Sequence, residues 1–323
     1  MNFLGPLIAF LAFCFPFVAV SSEILEIDAG RGVVPVHIPD GHSANDNVPI
    51  VVLLHGLGAD AKTQNEGGKL PIFPAKSVTG MKFSTKVDAK NFILVLPDGS
   101  FQSVPVLGRH RFWNATDACC DFQPQDPSDA TYILSLIDAV IAHDRTGISQ
   151  KEIFIVGHSN GGFLAHRIGC EFSNRISAIV SVAGATYLNP DDCKNRSANA
   201  RIAKLHVLQV HGNEDVTVVF DGGDRLLGYP APAPYPGAKA TTQNWATIMQ
   251  ENGSCNAPNN PSRTIDDSLA LVDPIGDTIV FEYDCPDPGT SIELWVMSEE
   301  DHLPKFSDKL ADTILDHLYQ LQN

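Results

Sequence analysis

The sequence predicts an α/β fold with a mostly parallel central sheet that helices cover on both faces. Apolar segments alternate with segments of helical spacing, and most of the apolar segments are dense in Val, Ile and Leu. That composition is typical of parallel strands buried on both faces. No shift in composition divides the chain after its first 22 residues, so one domain is expected. The predicted strands are Val33–Ile38, Ile50–Leu54, Phe92–Leu96, Ile153–Val156, Ala178–Val182, Leu205–Val210, Ile279–Tyr283 and Ile292–Val296.

Four segments of helical spacing lie between or after these strands. In the first, Ile133, Ile137 and Val140 share one face, and Ser128 or Asp129 could cap the amino end. The Pro-rich segment Tyr229–Gly237 is instead predicted to be an extended loop, either at the rim of a cleft or as a plain surface connection. The predicted helices are Asp129–His143, Phe163–Phe172, Thr241–Glu251 and Ser307–Leu321.

The first 22 residues differ in composition from the rest of the chain. Leu4–Val20 is almost wholly apolar and uncharged, and small residues follow at 19–21, where a signal peptidase cleaves. The sequence therefore predicts a signal peptide at 1–22, an extracellular location, and a mature catalytic domain at 23–323. A membrane anchor is the alternative, but the apolar run is short for a span and contains Pro6 and Pro16.

The number of cysteines is also typical of an exported protein. Without Cys14, which lies in the predicted signal peptide, an even number of cysteines remains, and this suggests three disulfides in an exported chain. Spacing alone cannot choose among the pairings. A zinc site is the alternative, but no CxxC pair or Cys/His cluster supports it, so no metal is predicted. The remaining cysteines are Cys119, Cys120, Cys170, Cys193, Cys255 and Cys285.

The chain carries 22 basic and 38 acidic side chains, a formal net charge of −16 at pH 7, and it contains no basic run. Proteins that bind nucleic acid or anionic lipid use clusters of Lys and Arg, so neither partner is predicted. Asn-x-Ser/Thr sequences at Asn114, Asn195 and Asn252 would accept N-linked glycans in a eukaryotic host.

The strongest local pattern is G-H-S-N-G at 157–161, which directly follows the predicted strand Ile153–Val156 and opens a helix. This strand–turn–helix context is the one that a nucleophile elbow requires, and it predicts the α/β-hydrolase fold. We expect Ser159 to be the nucleophile and the N–H of Asn160 to donate to an oxyanion. The alternative is a Gly-rich turn with an idle serine.

A nucleophilic serine needs a base, and the base needs an orienting acid. In this fold the partners follow the serine in the order acid, then histidine. Asp215 comes just after the predicted strand Leu205–Val210 and is the expected acid, with Glu214 as the alternative. Of the two histidines beyond it, His302 lies in a predicted loop and is the expected base, whereas His317 lies within the last helix.

The oxyanion hole needs a second donor ahead of the elbow. Strand Ile50–Leu54 leads into H-G-L-G at 55–58, where glycines allow backbone amides to turn toward a ligand. Leu57 N–H is the predicted second donor, and an ordinary β-turn is the alternative.

Taken together, these segments resemble a known family. W-N at 113–114 precedes C-C at 119–120, G-H-S-N-G-G at 157–162 precedes A-H-R at 165–167 and Cys170, and V-H-G at 210–212 precedes Asp215 and Val218. T-G-M at 79–81 and L-P-D-G at 96–99 add to the set. The chain is similar over Val34 to His302 to the secreted esterases grouped with polyhydroxybutyrate depolymerases and with feruloyl or acetyl xylan esterases (carbohydrate esterase family 1, the LpqC-like branch).

The resemblance implies a serine carboxylester hydrolase that works through an acyl-enzyme, without a cofactor, on a plant-wall acyl ester or a polyester. We expect a monomer with no nucleic-acid or membrane partner. Trp113 would be an aromatic wall for the substrate, or a core tryptophan. A serine peptidase of similar fold and a non-catalytic secreted binding protein are the competing interpretations.

The resemblance also implies disulfide pairs and shows one departure. It pairs Cys255 with Cys285, and it leaves Cys119 and Cys120 to bond with Cys170 and Cys193 in an unassigned order. Family members read G-H-x-W-P-G around the base, whereas this chain reads D-H-L-P-K-F at 301–306. Because this loop would line the cleft, the departure bears on substrate preference.

Overall fold

A computed structural model describes residues 23–43, 46–104, 107–122, 128–143, 152–197, 202, 204–249, 255–265, 277–287 and 289–321. The predicted signal peptide and the glycosylation sequence at Asn252 lie outside the described residues. Of the other two candidate acceptors, Asn195 is exposed and Asn114 is buried, so the fold favours Asn195. Among the described residues, no helix is both long and apolar enough to span a bilayer.

The strands of the described chain alternate with helices, as the sequence predicts. The strands are β1 (Glu23–Asp28), β2 (Val33–Ile38), β3 (Ile50–Leu54), β4 (Gly67–Leu70), β5 (Phe73–Thr79), β6 (Ile93–Val95), β7 (Ser100–Val104), β8 (Gly108–Phe112), β9 (Ile153–His158), β10 (Ala178–Val182), β11 (His206–Gly212), β12 (Gly222–Leu226), β13 (Tyr229–Pro236), β14 (Arg263–Ile265), β15 (Thr278–Glu282) and β16 (Ser291–Met297). The helices are α1 (Ala61–Glu66), α2 (Val87–Lys90), α3 (Asp129–Ala142), α4 (Asn160–Phe172), α5 (Pro190–Arg196), α6 (Ala238–Ile248) and α7 (Lys309–Gln320).

Among the described residues, ten strands form one sheet in the order β1-β2-β6-β3-β9-β10-β11-β16-β15-β14. The six strands from β6 to β16 are parallel, and two strands are added antiparallel at each side. Successive side chains of a strand point to opposite faces. Ile50 and Val52 of β3 accordingly pack in a core with α3, α4 and α6, whereas Val51 and Leu53 pack in a second core with α2 and α7.

The Pro-rich segment departs from its predicted loop. Tyr229–Pro236 forms β13, which pairs with β12 in a separate two-stranded sheet. Proline cannot donate a hydrogen bond to a neighbouring strand, but here it recurs at every second position of a strand that has one partner. The missing N–H groups therefore all fall along the same edge of β13. A strand in a two-stranded sheet tolerates their loss. The turn that joins β12 to β13 does reach the cavity described below.

The cysteine pairing differs from the expected one. The Cα atoms of Cys170 in α4 and Cys193 in α5 are 5.1 Å apart, a separation that suits a disulfide. Because these two bond to each other, the expectation that they pair with Cys119 and Cys120 was wrong. The three disulfides are Cys119–Cys120, Cys170–Cys193 and, as expected, Cys255–Cys285.

A row of ion pairs fastens α7 to the region of α2. Each lysine and its aspartate partner are separated by 226 positions, so two segments with charges at every fourth residue lie in matched register. The N–O distances are 2.7 Å in the second pair and 2.5 Å in the third. We call these contacts the Lys–Asp ladder; its pairs are Lys82–Asp308, Lys86–Asp312 and Lys90–Asp316.

Candidate active site

The predicted catalytic residues meet at one edge of the sheet. Ser159 follows β9, Asp215 follows β11, and His302 lies in the loop between β16 and α7. Leu57 follows β3. Because these four strands are parallel, their carboxyl ends lie at the same edge, where α/β folds form their ligand sites.

The elbow at Ser159 has a backbone conformation that few residues adopt. Its φ is 54° and its ψ is −120°, and its N–H donates to the carbonyl of Val182 at 2.7 Å. The flanking glycines make this turn possible. A Cβ at Gly157 would overlap the carbonyl of Gly161, and one at Gly161 would overlap the carbonyl of Leu54. The turn raises the serine hydroxyl above the sheet edge, as the sequence predicts for an elbow.

Hydrogen bonds connect the three predicted residues in a line. Nε2 of His302 lies 2.9 Å from Oγ of Ser159, and Nδ1 of His302 lies 2.7 Å from Oδ2 of Asp215. A carboxylate can only accept, so Nδ1 carries the proton and Nε2 is left to accept the serine O–H. This is the hydrogen-bond arrangement through which a serine is activated for attack.

Asp215 is buried and its carboxylate is fully hydrogen-bonded. Oδ1 accepts the N–H groups of Thr217 and Val218 at 2.8 and 2.9 Å. Burial alone would raise the pKa of Asp215, but the electrostatic interaction with His302 and the hydrogen bonds from His211 and His302 outweigh it and hold that pKa well below its ordinary value. Glu214, the alternative acid, is exposed, and in the described structure the His302 ring bonds to Asp215 and Ser159 instead.

The loop that carries His302 is joined to the loop that carries Asp215. The N–H of Glu214 donates to the carbonyl of Glu300 at 3.0 Å, and the N–H of Glu299 donates to Oδ1 of Asn213 at 2.7 Å. These two contacts fix the distance between Asp215 and His302 independently of their own hydrogen bond.

The two predicted oxyanion donors flank Ser159. Asn160 opens α4, so its N–H is one of the first-turn groups with no partner inside the helix. The turn at 55–58 contacts the elbow, since a Cβ on Gly56 would lie 3.4 Å from Cβ of Ser159. Within the described part of the chain, Leu57 N–H has no hydrogen-bond acceptor, and Leu57 lines the same cavity as Ser159. Both N–H groups are thus available to a ligand.

Trp113 does not line that cavity, and its predicted contact with substrate is wrong. Its side chain is fully buried, its Nε1–H donates to the carbonyl of His55 at 3.0 Å, and its ring packs against the His55 imidazole. Its backbone N–H donates to Oδ1 of Asn160 at 2.7 Å, and Nδ2 of Asn160 donates to its carbonyl at 2.8 Å. The alternative, a core tryptophan, is what the structure has, and this paired contact holds its loop against the elbow.

A cavity of about 350 Å³ opens onto Ser159 and His302. This volume lies in the range of small-molecule sites, about 300–1,000 Å³. The hairpin β4–β5, the β12–β13 turn, the Cys119–Cys120 disulfide and the loop after His302 form its walls. Lys76 is the one Lys, Arg, Asp or Glu on the wall formed by the described residues. Its apolar side chains include Leu57, Ile72, Phe73, Val78, Leu227 and Leu303.

Sequence reasoning missed the polar residues that surround Asp215 and His302. His158, which precedes the nucleophile, contacts the backbone of His302, and His211 contacts Asp215. The spacing of His211 four residues before the acid was the one signal that could have indicated a contact between them. Among the described residues no group of His, Cys, Asp and Glu side chains forms a candidate metal site.

Comparison with known proteins adds to this geometry. Residues 41–226 match the model of the Phospholipase/Carboxylesterase family. The chain is 20% identical over 256 residues to NocK, a protein of Nocardia uniformis subsp. tsuyamanensis named as an esterase. That match covers 79% of this chain and 64% of NocK, so the chain spans less than two thirds of this relative's length.

Two solved structures are also similar. An acetyl xylan esterase from Aspergillus awamori superposes with a TM-score of 0.59 at 12% identity, covering 92% of this chain and 99% of that one. SOBER1 of Arabidopsis thaliana gives a TM-score of 0.47 at 16% identity, covering 85% of this chain and 99% of the other. The likeness to the acetyl xylan esterase, together with the family match, shows the α/β-hydrolase fold.

Proposed function

This chain belongs to the phospholipase/carboxylesterase family of α/β hydrolases, and on that premise we propose that it is a secreted serine carboxylester hydrolase with Ser159 as nucleophile, His302 as base and Asp215 as acid. The observation that carries the proposal is the hydrogen-bonded line from Asp215 through His302 to Ser159, which ends at the wall of an apolar cavity.

In the first step His302 Nε2 takes the hydroxyl proton while Ser159 Oγ attacks the carbonyl carbon of the ester. The N–H groups of Leu57 and Asn160 stabilise the negative charge that develops on the carbonyl oxygen. As the tetrahedral intermediate collapses, His302 gives its proton to the alkoxide oxygen of the leaving alcohol. Asp215 holds the imidazole in the correct tautomer and stabilises its charged form throughout.

In the second step water takes the place of the alcohol. His302 removes a proton from water, and the hydroxide attacks the acyl-enzyme to release the carboxylic acid and restore Ser159. The mechanism calls for no metal or organic cofactor.

The walls of the cavity favour an apolar acyl or aryl group. Aliphatic and aromatic side chains surround the space beside Ser159, so transfer of an apolar group from water into it is favourable. The resemblance to carbohydrate esterase family 1 makes acetyl and feruloyl esters of plant walls, and polyhydroxybutyrate, the first candidate substrates. The apolar segment at 1–22 supports secretion.

The test is hydrolysis by the secreted protein of 4-nitrophenyl acetate, butyrate and octanoate, methyl ferulate and a polyhydroxybutyrate suspension. We expect Ser159→Ala to lower the rate by several orders of magnitude, by analogy with other triads. Ser135→Ala, which removes an exposed hydroxyl on α3, is the matched control and should leave the rate unchanged. Amino-terminal sequencing of the secreted chain should begin at Glu23.

A wild-type protein that is folded but no faster than Ser159→Ala on every ester would contradict the esterase proposal. A secreted chain that retains residues 1–22 would contradict the signal peptide alone. The preferred ester among the five identifies the substrate class.

A further inference from the structure

A buried row of polar side chains leads from α6 to the acid of the candidate site. Trp245 Nε1 lies 2.9 Å from Nδ1 of His166, and His166 Nε2 lies 3.0 Å from Oε1 of Gln209. Gln209 Nε2 lies 3.1 Å from Nδ1 of His211, and His211 Nε2 lies 3.1 Å from Oδ2 of Asp215. Each of these side chains is at most 2% exposed, so water does not compete for their polar atoms. We call this row the polar relay.

Trp245, the first member, determines which atoms of the polar relay donate and which accept. An indole N–H can only donate, so Nδ1 of His166 must accept from Trp245. Burial lowers the pKa of His166 to about 4, so the ring is neutral near pH 7 and carries its single proton on Nε2. That N–H then donates to Oε1 of Gln209.

The contacts of Gln209 Nε2 lead independently to the same orientation of the Gln209 amide. Its Nε2 lies 2.9 Å from the carbonyl of Gly184, which can only accept, so Nε2 is the amide nitrogen at that end. The same –NH₂ group faces Nδ1 of His211, which therefore accepts. With Nδ1 occupied as an acceptor, His211 carries its proton on Nε2.

The proton on His211 Nε2 faces acceptors alone. Oδ2 of Asp215 lies at 3.1 Å and the carbonyl of Val218 at 2.9 Å, so the N–H is shared between them. Oδ2 also accepts from Nδ1 of His302 at 2.7 Å, and Oδ1 accepts two backbone N–H groups. The carboxylate thus has four donors, and His211 is the one among them that reaches it from the sheet interior.

We propose that His211 is a positioning residue of the active site. Its Nε2–H holds Oδ2 of Asp215 where that oxygen can accept from His302, and the polar relay from Trp245 sets the His211 tautomer that makes this donation. The inference rests on the proposed function for its kinetic consequence, but the tautomers themselves do not depend on any substrate.

A purely structural role for His211 makes a different prediction. If the residue served only to fill space beside Phe220, an apolar side chain of similar size would replace it without kinetic cost. If its donor matters, glutamine should replace it, because the amide nitrogen of glutamine lies near the position of a histidine Nε2. The pair His211→Gln and His211→Leu therefore separates hydrogen bonding from packing.

The first measurement is ¹⁵N NMR of the full chain with labelled histidine at pH 7, without substrate. We expect His166 and His211 each to be protonated on Nε2 and not on Nδ1. The downfield proton of His302 Nδ1 should persist in His211→Gln and shift in His211→Leu. A neutral His211 protonated on Nδ1, or an identical His302 signal in both variants, would overturn the proposal even if no ester is ever hydrolysed.

The second measurement is steady-state kinetics on the ester that the wild type cleaves fastest. We expect kcat of His211→Leu to fall about 10- to 100-fold with KM little changed, since a small misplacement of a catalytic group has effects of this size. His211→Gln should stay within a few-fold of wild type, and Gln209→Leu should fall between the two. Equal loss in His211→Gln and His211→Leu at unchanged folding would refute the positioning role.

Ser181→Ala is the matched control for burial. Ser181 pairs with Gln209 across β10 and β11, and its Oγ has no hydrogen-bond partner in the described structure. Removing this hydroxyl perturbs the same layer of the sheet without removing a hydrogen bond of the polar relay, so kcat and the His302 signal should stay at wild-type values. If the esterase proposal fails, the wild type will hydrolyse none of the esters while His166 and His211 still show the expected tautomers. This outcome distinguishes the two proposals.

Discussion

His158 donates its Nε2–H to the backbone carbonyl of His302 across 3.0 Å, so the residue before Ser159 holds the loop that carries His302. A carbonyl can only accept, which fixes the proton of His158 on Nε2. The two imidazole rings lie 5.2 Å apart, and Phe306 packs edge-on against His158. Elbow and base loop are thus joined by a contact that does not involve Ser159.

We predict that this contact affects turnover. His158→Phe retains an aromatic ring but loses the donor to His302, so the base loop should sample positions from which Nε2 cannot reach Ser159. The expected loss in kcat is about tenfold, within the range for a misplaced catalytic group. His158→Gln keeps an amide donor and should stay close to wild type. The comparison of kcat in the two variants tests the prediction, and equal kcat values would contradict it.

His158 also predicts how stability depends on pH. Burial lowers its pKa to about 3 in the folded protein, against about 6.5 in an unfolded chain. Between these values the unfolded state binds a proton that the folded state does not. The free energy of unfolding should therefore fall as pH decreases from 6.5 toward 3, by at most about 1.4 kcal/mol per pH unit from this group.

His158→Gln removes that contribution without removing the donor. Denaturant unfolding at pH 7.5, 5.5 and 4.5 should show a shallower decline for the variant than for wild type. The two proteins should have similar stability at pH 7.5, where the unfolded histidine is also neutral. Parallel declines would show that His158 binds a proton in the folded state.

Substitution by alanine should have very different effects at a glycine of the elbow and at a glycine of β12. At Gly157 an added Cβ would overlap the carbonyl of Gly161, and backbone cannot move aside cheaply. We expect Gly157→Ala to prevent folding or to lower the melting temperature by several degrees. At Gly223 the nearest atom to an added Cβ is 3.8 Å away, so Gly223→Ala should be nearly neutral. A differential scanning calorimetry scan of both variants checks this, and a stable Gly157→Ala would mean that the elbow relaxes.

The paired contact between Asn160 and Trp113 predicts a loss of stability. Asn160→Asp still accepts from the Trp113 N–H but cannot donate to its carbonyl, which stays buried without that partner. Such a change typically costs about 1–3 kcal/mol, more where a charge is buried. Asn244→Ala is the matched control, because that amide is partly exposed and water can replace it. Urea unfolding of the two variants should differ by at least about 1 kcal/mol; equal losses would contradict the prediction.

The central strands and the meeting of Ser159, Asp215 and His302 could be predicted because the sequence marks them locally. Dense Val, Ile and Leu runs mark buried strands, and the residues that follow such runs must share a sheet edge. The small hairpins could not be predicted in this way. β4 contains Gly67 and Gly68, β13 contains alternate prolines, and neither has the apolar alternation of a strand that covers a core.

Contacts between side chains that are distant in the sequence could not be predicted either. Nothing near Trp113 in the sequence reveals that Asn160 holds its backbone and turns its ring into the core. The cysteine pairing depends on α5 packing against α4, which brings Cys193 to Cys170. The polar relay joins β11 to α4 and α6, and its order follows only from three-dimensional neighbours.

The Lys–Asp ladder bears on the order in which the parts of the candidate site are completed during synthesis. His302 emerges 143 residues after Ser159 during synthesis, and its loop is followed at once by the helix that the ladder docks onto α2. A partly translated chain therefore contains Ser159 long before it contains His302. In the proposed mechanism hydrolysis needs both residues, so an unfinished chain that ends before His302 would lack the complete triad.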